Sequence, residues 1–277
     1  MGSQQYEEEI GAICVLDILA TKGVWKRDPG EYLEKVTFLY DKFNNLVQDV
    51  KQKIKEELQK YSKNVYVYDA QFVTFSDTII ITSTFRLIKA DSANRPEIKR
   101  QLELHLFILG FVLIGIISGA IQERIYLRGS LCLGKIYRKD SIIIGPAIDE
   151  AASDYDQSNW IGVSLTPNAS LLIKSPGNTP YSKLIKVFFT QYDVPKKSGI
   201  EKSCHVLNWP RFYFKGIPDS IDLIKNNLIF RLDESTNYDV YLKYKNTMEF
   251  CNHVAKNGRI EFTEYFKSGF SADFDSK

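Results

Sequence analysis

From Leu106 to Ile121 the chain carries no charged side chain. A run of that kind has two homes, a lipid bilayer or the interior of a fold. It falls short of the roughly 20 apolar residues a spanning helix needs, and its lead-in from Lys99 to His105 continues at helical spacing. The expectation is a helix buried against a sheet, with no membrane span. Neighbouring elements must then supply the covering surface.

The elements around it can be placed in order. Ala12 to Ile18 is an apolar strand that ends in an acid, Asp17. Asp28, Pro29, Gly30 and Glu31 make a helix start, and apolar residues from Leu33 to Leu58 recur at three and four, predicting an amphipathic helix to about Tyr61. Val65 to Phe75 reads as a strand, Ser76 and Asp77 as a tight hairpin turn, and Thr78 to Phe85 as the returning strand. A loop around residues 90–96 precedes the apolar helix, and Arg124 to Tyr137 reads as a further strand. The order β-α-β-β-α-β suits an α+β fold, a ferredoxin-like split βαβ sheet rich in antiparallel pairs with two helices on one face. In such a sheet the hairpin tip reaches the edge where the first strand ends, so Asp17 and Asp77 should face each other. Two close carboxylates repel, and metal ions are the natural compensation.

Later segments are expected as follows. Ser141 to Ala147 is a short strand into a turn, Ala147 to Tyr155 a short helix with acids at Asp149, Glu150 and Asp154, and Ile161 to Leu165 a strand. Lys183 to Tyr192 is strand-like, Val194 to Lys197 a basic turn, and His205 to Pro210 a strand. A helix from about Asn237 to Lys256 stops at Asn257 and Gly258, and the tail from Ser268 is loose.

Composition excludes little. A net charge of +2 gives no global attraction to nucleic acid or anionic membrane, so neither is expected as a partner, and an anionic ligand must be met by local groups. The four cysteines, Cys14, Cys132, Cys204 and Cys251, form no C-x-x-C pair and read as reduced core thiols. The acidic N-terminus lacks an apolar signal core, which leads to a cytoplasmic expectation.

With these elements in place, the chain resembles the catalytic domain of the class III nucleotide cyclases. The matching residues are Leu16-Asp17-Ile18 with a glycine soon after, Phe75-Ser76-Asp77, Leu127-Arg128-Gly129 with Gly134, and Gly145-Pro146-Ala147-Ile148-Asp149-Glu150-Ala151. Arg128-Gly129 to Gly134, Gly145 to Ala147 with Glu150-Ala151, Tyr192 to Lys196, and Asn208-Trp209-Pro210 look most like the bacterial pyrimidine cyclases of the Pycsar anti-phage system. The similarity spans about residues 10 to 212. It implies a catalytic domain over 1–212 and a mainly helical extension over 213–277 packed on it.

The resemblance also implies chemistry. Two Mg²⁺ or Mn²⁺ ions would be held by Asp17, Asp77 and the main-chain carbonyl of Ile18, activating a ribose 3′-hydroxyl that attacks the α-phosphorus while pyrophosphate leaves. The loop residues Leu19, Ala20, Thr21, Lys22 and Gly23 would meet the phosphates. A homodimer with an active site at each interface is implied as well. Two departures bear on the substrate: the position that reads a purine through lysine holds Val73, and the position that reads it through aspartate holds Ile142. A pocket without those polar groups cannot reward a purine edge, which favours UTP or CTP. Tyr66 and Tyr68 could offer a hydroxyl to a pyrimidine, although core or interface tyrosines are the plainer reading. The family's transition-state asparagine maps to Asp149, a possible ribose contact, and its arginine to Ser153. Arg128 is therefore the candidate catalytic cation, with Arg138 or Lys135 behind it. The same losses leave open a degenerate domain that binds nucleotide or a partner without turnover. Taken singly, Asp17 is as well explained as a turn cap and Asp77 as a hairpin-turn residue.

Overall fold

The computed structural model describes residues 6–19, 28–61, 66–87, 95–140, 142–177, 179–216, 224, 226, 228 and 238–257. Strand β1 (Glu7–Ile18) is followed by helix α1 (Pro29–Tyr61), the hairpin β2 (Tyr66–Phe75) and β3 (Thr78–Leu87), helix α2 (Arg95–Gln122) and strand β4 (Leu127–Lys139). Next come β5 (Ile142–Ile144), α3 (Pro146–Gln157), β6 (Gly162–Leu165), α4 (Pro167–Lys174), α5 (Pro180–Phe188) and β7 (Phe189–Lys196). Strand β8 (Gly199–Leu207), α6 (Trp209–Gly216) and α7 (Tyr238–Asn257) complete the described chain. One sheet holds the strands in the order β2-β3-β1-β4-β6-β8-β7, with β5 paired to β4. Its pairs are antiparallel apart from β4 and β6. The fold is α+β, a mostly antiparallel sheet with helices packed on it.

Alternation along β1 explains the two faces. Ala12, Cys14, Leu16 and Ile18 belong to the large core with the apolar residues of α1 and α2, whereas Ile13 and Val15 pack with Cys132, Ile136 and the α3 residues Ala147 and Ala151. Asp28 caps α1 through its carboxylate, which accepts from the Glu31 amide at 2.9 Å.

The uncharged run lies in α2. That helix is long and apolar enough to cross a membrane by length and composition, yet 83% of its most apolar window is buried inside the fold. It packs against α1, α5, α6, β1 and β3. Gly115 makes one of these contacts possible, since a Cβ there would stand 2.6 Å from Leu46 of α1. Glu103 and His105 of its lead-in are buried and partnered. Glu103 accepts from the Ser182 hydroxyl at 2.9 Å, and His105 meets the Ser83 hydroxyl at 2.9 Å while stacking on Phe85.

Several expectations are corrected in the second half. The apolar stretch 183–192 is two elements, because α5 ends at Phe188 and β7 begins at Phe189 with no loop to mark the change. Val194, Pro195 and Lys196 belong to β7, and the turn falls at 197–198. Residues 205–210 end a strand and begin a helix, since β8 stops at Leu207 and α6 starts at Trp209. Helix α4 was not expected, though Pro167 at its start is a helix signal. Helix α7 agrees with the expected boundaries within a residue, and the tail from 268 lies outside the described residues.

Candidate functional site

The sheet register builds the site. Asp17, the penultimate residue of β1, stands opposite Thr78 of β3 on one side and Arg128 of β4 on the other. Thr78 directly follows the Ser76 and Asp77 turn, so the two aspartates reach the same edge of the sheet. The turn is fixed from both sides: the Ile18 amide donates to the Asp77 carbonyl at 2.9 Å, and the Tyr32 hydroxyl of α1 donates to the Ser76 carbonyl. Ser76 has φ 57°, a left-handed conformation that costs a side-chain-bearing residue energy and that these two bonds hold in place.

Arg128 is oriented in three directions. Its Nε and Nη2 donate to Oδ2 of Asp17 at 3.0 and 2.8 Å, and its Nη1 donates to the Ser158 carbonyl at 3.1 Å. The guanidinium carbon lies 5.6 Å from the centre of the Tyr155 ring. With the side chains of Arg128 and Asp17 only 11% and 15% exposed, this pair is partly shielded from solvent. Neighbouring glycines allow the arrangement. A Cβ at Gly129 would stand 2.5 Å from the Val15 carbonyl, and one at Gly134 would stand 3.1 Å from Cβ of Ala147. The first glycine lets β4 lie against β1, and the second lets α3 lie close on the sheet, with Tyr155 over Arg128.

Burial pushes the Asp17 carboxyl above the usual carboxylate range. Arg128 pulls it back down, Asp77 pushes up again, and Lys243 of α7 pulls down. Tyr32 is pushed upward chiefly by burial, then by the charges of Asp77 and Asp17, so its hydroxyl stays protonated beside them.

The donor set suits a hard cation. Both Arg128 bonds converge on one oxygen of Asp17, and no described residue hydrogen-bonds the other. Asp77 has no hydrogen-bond or ion-pair partner for its carboxylate among the described residues. Two carboxylates with open oxygens and the peptide of Ile18 between them form an all-oxygen set. Among the described residues no group of three or more His, Cys, Asp and Glu gathers, so the pair stands without a further protein acid.

Other expected site residues are distributed unevenly. Ala20, Thr21, Lys22 and Gly23 lie outside the described residues. The Leu19 amide donates to the Tyr126 carbonyl at 2.8 Å, which removes it from the donors expected to meet phosphate. Val73 is near, since it pairs with Ile80, which pairs with Val15 two residues before Asp17. Ile142 pairs with Lys139 at the far end of β4, roughly 35 Å along the strand from Arg128 at about 3.3 Å per residue. Tyr66 and Tyr68 pair with Leu87 and Phe85, at the end of the hairpin away from Asp77. Asp149 is exposed in the first turn of α3, while Tyr155 near the other end of that helix approaches Arg128. Within one chain, then, only Val73 of the expected base-pocket residues lies toward the carboxylate end of the sheet, two strands from Asp17.

Within one chain the fallback cations lie apart from the carboxylates. Lys135 pairs with Glu8 at 2.6 Å, and Arg138 is buried with Glu9 at 3.0 Å. Both sit toward the other end of β4 and are already partnered. Sequence reasoning missed Tyr32, Tyr155, the Ser158 carbonyl and Lys243. The only signal for the first was its place one turn into a helix that follows the loop after Asp17.

No family model and no curated protein matches this sequence. Among solved structures, the catalytic core of a rhodopsin-guanylyl cyclase with converted specificity, in complex with ATPαS, is similar at 12% identity and TM-score 0.39, over 73% of this chain and 96% of that one. The adenylyl cyclase CyaB from P. aeruginosa is similar at 14% identity and TM-score 0.38, over 74% of this chain and 95% of that one. An adenylate/guanylate cyclase/hydrolase from Silicibacter pomeroyi is similar at 16% identity and TM-score 0.33, over 73% and 96%. These likenesses are distant, and functional weight falls on the register and side chains of the site itself.

Proposed function

We propose that the chain is a nucleotide cyclase that converts a pyrimidine nucleoside triphosphate, UTP or CTP, to the 3′,5′-cyclic monophosphate and pyrophosphate. One observation carries the reading. The register sets Asp17 beside the Asp77 turn with Arg128 across from it, so two carboxylates with open oxygens share a sheet edge with one fixed guanidinium.

Asp17, Asp77 and the Ile18 carbonyl would hold Mg²⁺ or Mn²⁺, two ions per site, which when bound supply acidification of the ribose hydroxyl and charge compensation for the triphosphate. The protein's own groups do the rest. Arg128 offers fixed N–H donors to negative charge that develops on the phosphates, and its hydrogen bond to Ser158 spares it reorganisation at that moment. Tyr32 holds the hairpin turn so that Asp77 keeps its place. Val73 presents an apolar wall where a polar reader of a purine would otherwise stand.

The base pocket needs more than one chain on this reading. Ile142, Tyr66 and Tyr68 lie at strand ends away from the carboxylates, and a second copy of the chain would bring such residues to the site. A homodimer is therefore part of the proposal, with second-messenger synthesis in anti-phage defence as its setting. Sedimentation at the assay concentration should find a dimer. Full turnover by a monomer would contradict this arrangement.

A second reading has its own observation. Asp149 and Ser153 are both exposed on α3, and neither supplies a cation. A domain that binds nucleotide with metal but forms no product would fit that loss. Incubation with each of the four ribonucleoside triphosphates and Mn²⁺ separates the two: a cyclic pyrimidine nucleotide supports the cyclase, binding without product supports the second reading, and cyclic AMP as sole product removes the pyrimidine assignment.

A further inference from the structure

The C-terminal helix α7 is anchored to the same edge of the sheet that carries the carboxylates. Asn246 Nδ2 donates to the Asn159 carbonyl at 2.7 Å, and the Thr247 hydroxyl oxygen accepts from the Ile161 amide at 2.8 Å while donating to the Lys243 carbonyl at 2.6 Å. Asn159 adjoins Ser158, whose carbonyl takes the Arg128 Nη1 bond. On the other flank Tyr244 meets Tyr126 edge to face, with ring centres 5.1 Å apart. Tyr126 adjoins Leu127, the partner of Ile18 in the sheet, and its carbonyl accepts from the Leu19 amide. The two anchors flank the site, and Lys243 directly precedes the first of them, Tyr244.

Lys243 is half-buried and has no hydrogen-bond or ion-pair partner for its ammonium among the described residues. Burial lowers its pKa first and the nearby Arg128 guanidinium lowers it further, Asp239 one turn earlier raises it, Lys197 lowers it and Asp17 raises it. Two cations near one another, one of them without a partner, are unfavourable in the protein alone. An anion between them would relieve both, and the carboxylates of Asp17 and Asp77 can share a cation bound to that anion.

We propose that Lys243 is a substrate-binding residue of this site and contacts the polyphosphate of the nucleoside triphosphate, so that α7 completes a site otherwise built by the sheet. The inference rests on the nucleotide-cyclase reading for the identity of the substrate. Its chemistry is that of a polyphosphate anion bound with a divalent cation, and inorganic tripolyphosphate carries that chemistry without base or ribose.

The test uses the full chain, Lys243→Gln and Lys243→Arg, and measures tripolyphosphate binding in the presence of Mn²⁺ by calorimetry. Loss of one charge-assisted contact should weaken binding by Lys243→Gln roughly ten- to a hundredfold, and Lys243→Arg should recover most of it. A matched thermal midpoint in all three keeps a folding defect from imitating the result. Equal binding by the unaltered chain and Lys243→Gln overturns the inference, as does no binding by the unaltered chain. If a ribonucleotide is cyclised and Lys243→Gln keeps the original KM, this inference fails and the cyclase reading stands. If tripolyphosphate binding depends on Lys243 yet no ribonucleotide is cyclised, the reverse holds.

Discussion

Asp17 makes its claim on function through its neighbours. As one acid at the end of an apolar strand it could cap a turn, and nothing in its own identity decides otherwise. The register changes this by placing Arg128 and the Asp77 turn on either side, and burial with Asp77 makes the ionised carboxylate costly unless cations are near. Arg128 answers part of that cost and leaves one Asp17 oxygen open. A second titratable residue acts on stability instead. His105 is fully buried, and burial lowers its pKa from 6.5 to about 3. Below about pH 6.5 the unfolded chain binds a proton that the native chain refuses, so stability is whole above 6.5 and falls as pH drops toward 3. The limiting slope is about 1.4 kcal/mol per pH unit. Urea unfolding at pH 7.5 and 5.0 should show a smaller loss for His105→Gln than for the unaltered chain. Parallel losses in the two would mean that His105 charges in the native state.

At the scale of elements, the first half of the fold was legible because each signal was local. Asp28 and Pro29 start α1, a tight turn separates β2 from β3, and the uncharged run reads as an interior helix. The second half hid its helices. Thr179 and Pro180 do mark a start, and the Ser182 hydroxyl accepts from the Thr179 amide at 3.2 Å, but α5 is too short to show a period and passes into β7 without a loop. Its apolar residues and those of the strand therefore read as one run. Helix α7 was legible from its stop signal, yet its docking was not, because Asn246 and Thr247 reach partners more than eighty residues away. Phe250 is the apolar part of that docking, fully buried with its ring 4.8 Å from Trp160 and 4.9 Å from Tyr192. Phe250→Ala should lower unfolding free energy by about 3–5 kcal/mol, as large-to-small changes in packed cores do. A denaturant midpoint that hardly moves would show that α7 is not held by this contact.

For the whole molecule, the site is where the central strand, the hairpin turn, β4, α3 and α7 meet. Its carboxylates could be foreseen because the split βαβ order forces the hairpin tip to the end of the first strand. The fixing of Arg128 through Ser158 and Tyr155 could not, since it depends on how closely α3 lies on the sheet, and the base pocket could not because its candidates sit at opposite strand ends. On the proposed reading, the Asp17 and Asp77 edge performs nucleotide cyclisation. Its most direct test is product formation from UTP and CTP with Mn²⁺ by the unaltered chain and by Asp77→Ala, with binding and thermal midpoint measured alongside. The unaltered chain should yield a cyclic pyrimidine nucleotide and pyrophosphate, with a loss of at least about a hundredfold in Asp77→Ala while the fold persists. Undiminished turnover by Asp77→Ala would contradict it.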